Sequence, residues 1–284
     1  MKTSHVQMYT ARRHLVSGVK IVIGILICVI VIAPILVTLF ASLKTMGDMT
    51  TTSPLLLPDH ITLDNYSEVF SDPKLYIGFR NTFTIALVSI VFNVFLGSVT
   101  AFCLERFRFR FRKIVFGLFF LGMMIPMFVM EIARFSLISS LGLYNTLGAP
   151  IIIYVASDLM QLYIYRQFIS KIPVSLDESA LIDGCGYFRV FWRIIFPQLA
   201  PATATVVIIK TVNIINDMYV PYLYMTSNDL KTMTTFIMNY ASAKEGSWQS
   251  LSAAVIIVLI PTVLIYVFSQ RYIIKGLSAG AVKE

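Results

Sequence analysis

Three ionisable side chains interrupt two of the most apolar stretches of the chain. Asp158 lies in the stretch from about 147 to 168, and Lys210 and Asp217 lie in the stretch from about 199 to 225. Lys210 and Asp217 are separated by about two helical turns, so a helix would place them on one face. A charge inside a membrane is costly and often marks a transport path. These groups could therefore hydrogen-bond a polar solute as it passes.

A second interpretation gives the same charges a structural role. Lys210 could pair with Asp158 or with Asp217 and hold the helices together without contacting a solute. The sequence leaves both interpretations open. Under the first interpretation, two aspartates, two asparagines and a tyrosine would line the path: Asp158, Asn213, Asn216, Asp217 and Tyr219.

No other group of reactive side chains has the spacing of a catalytic or metal-binding site. The chain has no GxxxxGK[ST] phosphate-binding loop, so we expect neither an ATP site nor a cofactor in this chain. Its three histidines lie outside the apolar stretches, and its three cysteines lie far apart without CxxC spacing. We therefore predict no catalytic residue, metal site or disulfide among these residues: His5, His14, His60, Cys28, Cys103 and Cys185.

The composition indicates what kind of protein must position these residues. Of the 284 residues, 57% are hydrophobic and 13% are charged, and the mean hydropathy is +0.78. In a soluble domain about a quarter of the residues are charged. We therefore predict an all-α integral membrane protein with six transmembrane helices, since about 20 apolar residues cross a bilayer. The predicted spans are 21–43, 81–104, 114–130 (extendable past Glu131), 147–168, 199–225 and 247–270.

The first of these spans could instead be a secretory signal peptide, because basic residues precede it. Its apolar run from Ile21 to Leu43 is longer than the apolar core of a signal, which has about 7–15 residues. We therefore predict a retained helix after a tail of residues 1–20. The membrane domain then covers 21–275, and a second tail covers 276–284.

The distribution of Lys and Arg predicts the orientation of the helices. Six helices place both termini on one side, where sixteen of these residues fall, against six on the opposite side. Cytoplasmic loops collect positive charge, so both tails are predicted to be cytoplasmic. The same rule explains the net charge of +8 without a nucleic-acid partner. In RFRFRFRK, residues 106–113, we expect the phenylalanines to enter the membrane interface and the arginines to extend into water.

Residues 172–201 interrupt the apolar pattern, on the predicted cytoplasmic side, with acids, glycines and prolines. Pro173 precedes a short predicted helix, whose first turn would be capped reciprocally by Ser175 and Glu178. Gly184 can adopt the left-handed conformation that ends such a helix. A second amphipathic helix, YFRVFWRIIF, follows. On physical grounds this pair of helices could dock into a groove of another protein or lie on the lipid surface.

The segment IPVSLDESALIDGCGYFRVFWRIIFPQLAP closely resembles the cytoplasmic EAA loop of permease subunits in bacterial ATP-binding-cassette importers. Two residues depart from that pattern, because Ser179 and Cys185 each stand where the family has an alanine. Both replacements are small. The positions that carry the pattern are Glu178, Ser179, Ala180, Asp183, Gly184, Cys185, Phe196 and Pro197.

Two further segments resemble the carbohydrate branch of these importers. GLYNTLGAPIIIY at 142–154 and QRYIIKGLSAGAVKE at 270–284 look like the maltose-type second permease. One feature differs, because such permeases often have a Trp-Asn pair in the fifth helix and this chain has Ile215 before Asn216. The resemblance covers essentially the whole chain, but the Trp that such permeases place near the solute is missing here.

This resemblance implies a type I importer permease fold in the bacterial cytoplasmic membrane. It also implies a sister permease, two ATPase subunits that hold ATP and Mg²⁺, an extracellular solute-binding protein and the lipid bilayer as partners. The solute would be a sugar or an oligosaccharide. Coupling to the ATPase subunits would fall on the first helix and turn of the loop: Glu178, Ser179, Ala180, Asp183 and Gly184.

Two other transport functions have to be distinguished from this one. A permease of the same kind could carry a solute other than a sugar. An ion-coupled secondary transporter would need coupling-ion acids in the spans and often has inverted repeats. The sequence shows no convincing repeat. Co-purification with an ATPase would separate the two mechanisms, because a secondary transporter works without one.

Overall fold

The computed structural model describes the backbone of residues 2–53, 55–241 and 247–281, and the side chains of 17–53, 55–126, 128–241 and 247–270. The last residues of the predicted tail, 282–284, lie outside this part of the chain. The described residues form helices and no strand, in agreement with the predicted all-α class. The helices are α1 Lys2–Ser42, α2 Met46–Thr51, α3 Asp64–Ser71, α4 Pro73–Arg106, α5 Arg112–Met124, α6 Met127–Ser140, α7 Gly148–Val155, α8 Leu159–Ile169, α9 Val174–Ile182, α10 Tyr187–Val190, α11 Phe196–Gln198, α12 Ala200–Asn216, α13 Tyr219–Tyr224, α14 Met233–Ala241 and α15 Trp248–Ala281.

Three stretches of continuous helix are long and apolar enough to cross a membrane. They are Ser17–Ser42 of α1, the whole of α4 and Trp248–Gln270 of α15. The second contains the predicted span 81–104, and the other two contain all but one terminal residue of the predicted spans 21–43 and 247–270. α1 runs without interruption through position 20, so no break in the helix marks the predicted boundary between tail and span.

Three further segments are pairs of helices bent at a short break. The bend is 110° between α5 and residues 128–140 of α6, 44° between α7 and α8, and 75° between Tyr187–Gln198 and α12. By length and composition, the described residues therefore contain three membrane-spanning helices, or up to six if each bent pair is counted as one.

The predicted third span, 114–130, is wrong as a single helix. α5 ends at Met124, and the chain turns sharply before α6 begins at Met127. Pro126 explains the break, because proline has no N–H group and its ring disfavours helical backbone at the preceding Ile125. Ile125 is accordingly extended, with φ −80° and ψ 123°.

The predicted fourth and fifth spans, 147–168 and 199–225, are also wrong as single helices. In each an aspartate follows the break and caps the next helix. The Asp158 carboxylate accepts the N–H of Gln161 at 2.8 Å as α8 begins, and the Asp217 carboxylate accepts the N–H of Val220 at 3.2 Å as α13 begins. An aspartate at such a position satisfies a free N–H group of the new helix and so stabilises the interruption.

One compact unit contains α1 to α3 and the start of α15. The segment after α1, for which the sequence predicted no element, is held here by polar contacts. Lys44 is 0% exposed, and its ammonium group donates to Thr52 Oγ1 at 2.8 Å and to the Ser53 carbonyl at 2.7 Å. The Asn65 amide donates to the carbonyls of Ser42 and Lys44. These contacts satisfy the buried donors and hold α2 and α3 to the end of α1.

The other unit is built around α4, which packs against α7, α8 and α12. Small residues allow the helices to approach closely. A Cβ atom at Gly97 of α4 would clash with the amide group of the buried Gln161 side chain on α8. The same Gln161 amide donates to the Asn93 carbonyl of α4 at 2.9 Å.

Asn93 of α4 also hydrogen-bonds the backbone carbonyls at the break between α7 and α8. Its buried side-chain amide donates to the carbonyls of Tyr154, Val155 and Ala156 at 3.1, 3.3 and 2.9 Å. These carbonyls end α7 and have no partner in their own helix. α4 therefore supplies the hydrogen bonds that the interrupted helix lacks.

Candidate functional site

The loop of residues 172–201, here called the docking segment, begins with α9. This helix starts at Val174, directly after Pro173, and no side chain caps its N-terminus. The predicted capping box of Ser175 and Glu178 is therefore wrong. Since Ser175 already lies in the first turn, it cannot take the position before the helix that a capping box needs.

The end of α9 agrees with the prediction. Gly184 has φ +80°, the left-handed conformation that glycine adopts without strain. The Cys185 N–H donates to the Ala180 carbonyl at 2.9 Å, and the Gly184 N–H donates to the Leu181 carbonyl at 3.0 Å. This is the bonding pattern of a Schellman motif, which satisfies the last carbonyls of a helix and fixes the direction of the chain beyond it.

A buried ion pair attaches one face of α9 to the end of α4. Asp177 Oδ2 lies 2.7 Å from Arg106 Nε, and the two side chains are only 9% and 8% exposed. Burial raises the pKa of the Asp177 carboxyl above its ordinary value, and the Arg106 guanidinium opposes that rise. Ala180, one turn further along α9, is also buried and packs into the helical core.

The opposite face of α9 is open. Ile182 is 85% exposed, and Glu178, Ser179, Asp183 and Gly184 are exposed. Four of the five predicted coupling residues therefore lie on an accessible surface. Ala180 does not, because it faces the chain's own core rather than the space that a second protein could occupy.

The second helix of the docking segment is continuous but irregular. α10 leads into a π-helical turn, Phe191–Ile195, and then into α11. Pro197 explains part of this, because it cannot donate the next helical hydrogen bond. Phe191 and Ile195 are buried, and Trp192 stacks on Phe95 with a centroid distance of 5.9 Å. Most apolar side chains of this helix are thus buried or partly buried, whereas Phe188 is 73% exposed.

A second candidate site is a pocket of about 850 Å³ within the unit built around α4. Apolar residues supply most of its wall, and seven polar or charged ones lie among them. Its lining includes the predicted path residues Asp158, Asn213 and Asp217, together with Arg134 and Lys210.

The other two predicted path residues lie outside this lining. The Asn216 amide donates to the Val212 carbonyl of its own helix at 2.9 Å. The Tyr219 ring packs edge-to-face on Phe128, with a centroid distance of 5.9 Å. Asn216 keeps its place at the end of α12, whereas Tyr219 lies beyond the break, at the start of α13.

The structure forms one of the two ion pairs that the sequence allowed. Lys210 Nζ lies 2.7 Å from Asp158 Oδ2, so the cation of α12 reaches across to the start of α8. Asp217 is engaged differently, because its carboxylate accepts the hydroxyl of Tyr154 at 2.8 Å. Both aspartates therefore have a structural partner and still line the pocket.

Sequence reasoning missed a second charged group beside the pocket. The buried Glu131 carboxylate pairs with Arg134 one turn later in α6 and accepts the Tyr224 hydroxyl at 2.6 Å. A glutamate and an arginine three residues apart in an apolar segment are a recognisable helical pair. Extending the third span past Glu131 obscured this signal.

We expect the Lys210–Asp158 pair to stabilise the chain measurably. Asp158→Asn keeps an oxygen that can cap α8 but leaves Lys210 unpaired, and Lys210→Met leaves Asp158 unpaired. Each change should lower the melting temperature in detergent, followed by the fluorescence of Trp192 and Trp248. The double variant should recover part of the loss, with an interaction energy of about 1 kcal/mol, since Asp158 is half exposed.

Asp183→Asn on the exposed end of α9 serves as the control and should leave the melting temperature unchanged. Strictly additive effects of Asp158→Asn and Lys210→Met would contradict the prediction, because they would mean that the two side chains do not stabilise each other.

The comparison with known families identifies one whose pattern covers most of the chain. The family described as "Binding-protein-dependent transport system inner membrane component" matches residues 93–279. The matched region runs from the middle of α4 into α15, and so includes the docking segment and the pocket-lining part of α12.

Two curated relatives are similar over nearly their full length. The probable starch degradation products transport system permease protein AmyC of Thermoanaerobacterium thermosulfurigenes is 30% identical over 287 residues, which cover all of both chains. The melibiose/raffinose/stachyose import permease protein MelC of Bacillus subtilis is 32% identical, with 88% of this chain and 91% of the relative covered.

One solved structure shows the same fold. It is a chain of a bacterial ABC transporter involved in the import of the acidic polysaccharide alginate, with a TM-score of 0.82 at 18% identity. The match covers 91% of this chain and 96% of the other.

Proposed function

The chain belongs to the family of binding-protein-dependent transport system inner membrane components, and we propose that it is a permease subunit of a bacterial ATP-driven importer of sugars or oligosaccharides. The observation that carries this proposal is the docking segment. Its first helix is anchored on one face by Arg106 and Asp177 and leaves the other face free for a partner. The relatives named above are described as permeases for starch degradation products and for melibiose, raffinose and stachyose, which favours a sugar as the solute.

The partners follow from the same proposal. Two ATPase subunits, which bind ATP and Mg²⁺, lie at the cytoplasmic side of the inner membrane. One of them binds the exposed face of α9. A sister permease, different from this chain, completes the transport path, and an extracellular solute-binding protein delivers the solute. The pocket supports a two-chain path, because its polar residues Asp158 and Asn213 are exposed at the surface of this chain.

Coupling follows from how α9 is attached. An exposed helix face can enter a groove of the ATPase subunit, and the Schellman turn at Gly184 holds the next helix in a defined direction. Binding and hydrolysis of ATP can bias the permease between two states only if the ATPase contacts differ between them. Glu178 and Gly184 are the residues on which we expect those contacts to depend most.

The charges of the pocket favour an uncharged sugar. Lys210 is paired with Asp158, and Arg134 is paired with Glu131, so both cations of the described lining have carboxylate partners. Asn213 and the Asp217 carboxylate remain suited to sugar hydroxyl groups, which both donate and accept hydrogen bonds. A uronate would have to displace one of the paired carboxylates.

The test is transport by the whole assembly in proteoliposomes. The chain is purified with the sister permease and ATPase subunits of the same organism, and the solute-binding protein is added outside. We expect uptake of labelled raffinose or maltotriose to require both ATP and the binding protein, and a galacturonate oligomer not to compete. Uptake that needs an ion gradient but no ATPase would identify a secondary transporter instead.

Glu178→Lys tests the docking surface directly. It reverses a charge on the exposed face of α9 without touching the buried face, so the chain should still fold and reach the membrane. We expect ATP-driven uptake to be lost and the ATPase subunits to dissociate more easily during purification. Asp229→Lys, at an exposed position far along the chain in the short turn Asn228–Leu230, is the control and should transport normally. Normal uptake by Glu178→Lys would contradict the assignment of this surface.

A further inference from the structure

The last two residues of α4 reach different neighbouring helices. Arg106 pairs with Asp177 of α9 and also donates to the Ile172 carbonyl at 2.8 Å, just before α9 begins. The Glu105 carboxylate accepts Arg166 Nε of α8 at 2.8 Å and lies 3.6 Å from Arg112 at the start of α5. Adjacent residues of a helix point about 100° apart, which allows one turn to contact three helices.

α9 has few other attachments to the core. The residues on both sides of it are short connections, from 170 to 173 and from 183 to 186, which together contain only one buried residue. Within α9 only Asp177 and Ala180 are buried. Ala180 adds a single buried methyl group and Leu181 packs partly buried against the core, so the ion pair is the polar contact that fixes how α9 is oriented. If Arg106 and Asp177 moved apart, each would leave the other as an unpaired buried charge, which is strongly destabilising. The ion pair therefore resists any displacement of α9 relative to α4.

α4 connects this ion pair to the pocket. It is one uninterrupted helix of 34 residues, about 51 Å long at the usual rise per residue. Between the two sites, Asn93 of α4 holds the carbonyls of Tyr154 and Ala156, two residues that line the pocket. A displacement of the end of α4 would therefore reach the wall of the pocket through packed and hydrogen-bonded contacts.

We propose that Arg106 is a positioning residue that joins α9 to α4, so that movement of α9 by an ATPase subunit is passed first to α4 and then to the pocket. This role rests on the proposed function. The partner of Arg106 is Asp177, which does not face the ATPase subunit. The role therefore differs from that of the exposed residues Glu178 and Asp183, which would make the external contact.

The first test measures solute uptake per ATP hydrolysed in the reconstituted assembly. Asp177→Asn and Arg106→Gln should each lower this ratio by about tenfold, a size typical of energetic coupling between sites. Arg106→Asp combined with Asp177→Arg should restore at least part of the ratio, since it keeps one cation opposite one carboxylate. Each variant is measured below its own melting temperature and with its content of ATPase subunits determined, so that loss of folding or assembly is scored separately.

The second test follows distances and does not depend on a substitution at the ion pair. In a variant without native cysteines, spin labels at the exposed Val174 and at Arg108 report α9 against the end of α4, and labels at Val174 and Gln198 report α9 against the residues just before α12. Between the nucleotide-free and the vanadate-trapped ATP states, the first distance should stay constant while the second changes.

The outcomes separate this inference from the proposed function. A wild-type assembly that shows no ATP-driven uptake would refute the proposed function itself. If the wild type transports, two results would overturn the role of Arg106. One is that the Asp177→Asn assembly, folded and with its full content of ATPase subunits, takes up as much solute per ATP hydrolysed as the wild type does. The other is that the distance from α9 to the end of α4 changes between the nucleotide-free and the vanadate-trapped states as much as the distance from α9 to the residues just before α12.

Discussion

Gly184→Val should abolish ATP-driven uptake while the chain still inserts into the membrane. Gly184 has φ +80° and ends α9 by two backbone hydrogen bonds, from its own N–H to Leu181 and from Cys185 to Ala180. A β-branched residue in this conformation is strained by about 1–2 kcal/mol. The strain is relieved if the turn opens, which breaks both bonds and changes the direction in which the second helix leaves α9.

The space around Gly184 allows a clean interpretation. A Cβ atom there would meet nothing within 4 Å, so the expected loss comes from the backbone and not from a steric clash. Gly186→Ala is the matched control, because Gly186 has φ −77° and equally open surroundings, and it should transport like the wild type. Uptake is measured in proteoliposomes at equal permease content. Wild-type uptake by Gly184→Val would show that the turn does not participate in coupling.

Asn93→Asp should cause the largest loss of stability of any single conservative change considered. The two side chains have nearly the same shape, but the carboxylate replaces an amide that donates to three carbonyl oxygens. Those carbonyls would lose their donor and face a buried group that repels them. Leaving buried polar groups unpaired costs about 1–3 kcal/mol each time, which would lower the melting temperature by several degrees, at about 2–4 °C per kcal/mol.

Asn216→Asp provides the comparison on an exposed surface. The Asn216 amide donates to a carbonyl of its own helix at a position that water can reach, so its replacement should change the melting temperature by less than about a third as much. Both variants are measured by tryptophan fluorescence in the same detergent. Equal shifts for the two variants would mean that the capping of the α7–α8 break contributes little.

The features of α9 show where sequence reasoning succeeds. Gly184 directly follows the residues that form α9, and glycine is the residue that most often ends a helix in the left-handed conformation, so this conformation could be predicted locally. The start of α9 could not, because Pro173 and Ser175 are both acceptable in or before the first turn and only packing selects between the two registers. The sequence also did not show which face of α9 would be buried, since an alanine such as Ala180 fits either a protein surface or a core. Asp177, which shares the face of Ala180 at a spacing of three residues, decides it by pairing with Arg106.

The partners of Lys210 and the ends of its helix depend on tertiary contacts. Asp217 lies seven residues away, or about 10 Å along a helix, which is more than an ion pair spans. Asp158 lies on another helix, and its approach depends on how α8 packs against α12. The predicted continuity past Asn216 failed for a related reason, because no proline precedes the break and the capping by Asp217 is visible only in three dimensions. At Pro126, by contrast, the interrupting residue is present in the sequence.

The cap that Asn93 supplies also has a consequence for the order of events during synthesis. Asn93 is made 61 residues before Tyr154, so α4 can already be in the membrane when the end of α7 arrives. The free carbonyls of that break, which would be costly in hydrocarbon, therefore meet a waiting donor as soon as they enter. Lys210 behaves in the opposite way, because it is made 52 residues after Asp158 and its partner has to wait for it. Insertion of α4 thus provides the hydrogen-bond donor for the end of α7 before α7 is made. The charge of Asp158, at the start of α8, is neutralised only after α12 has been synthesised and inserted.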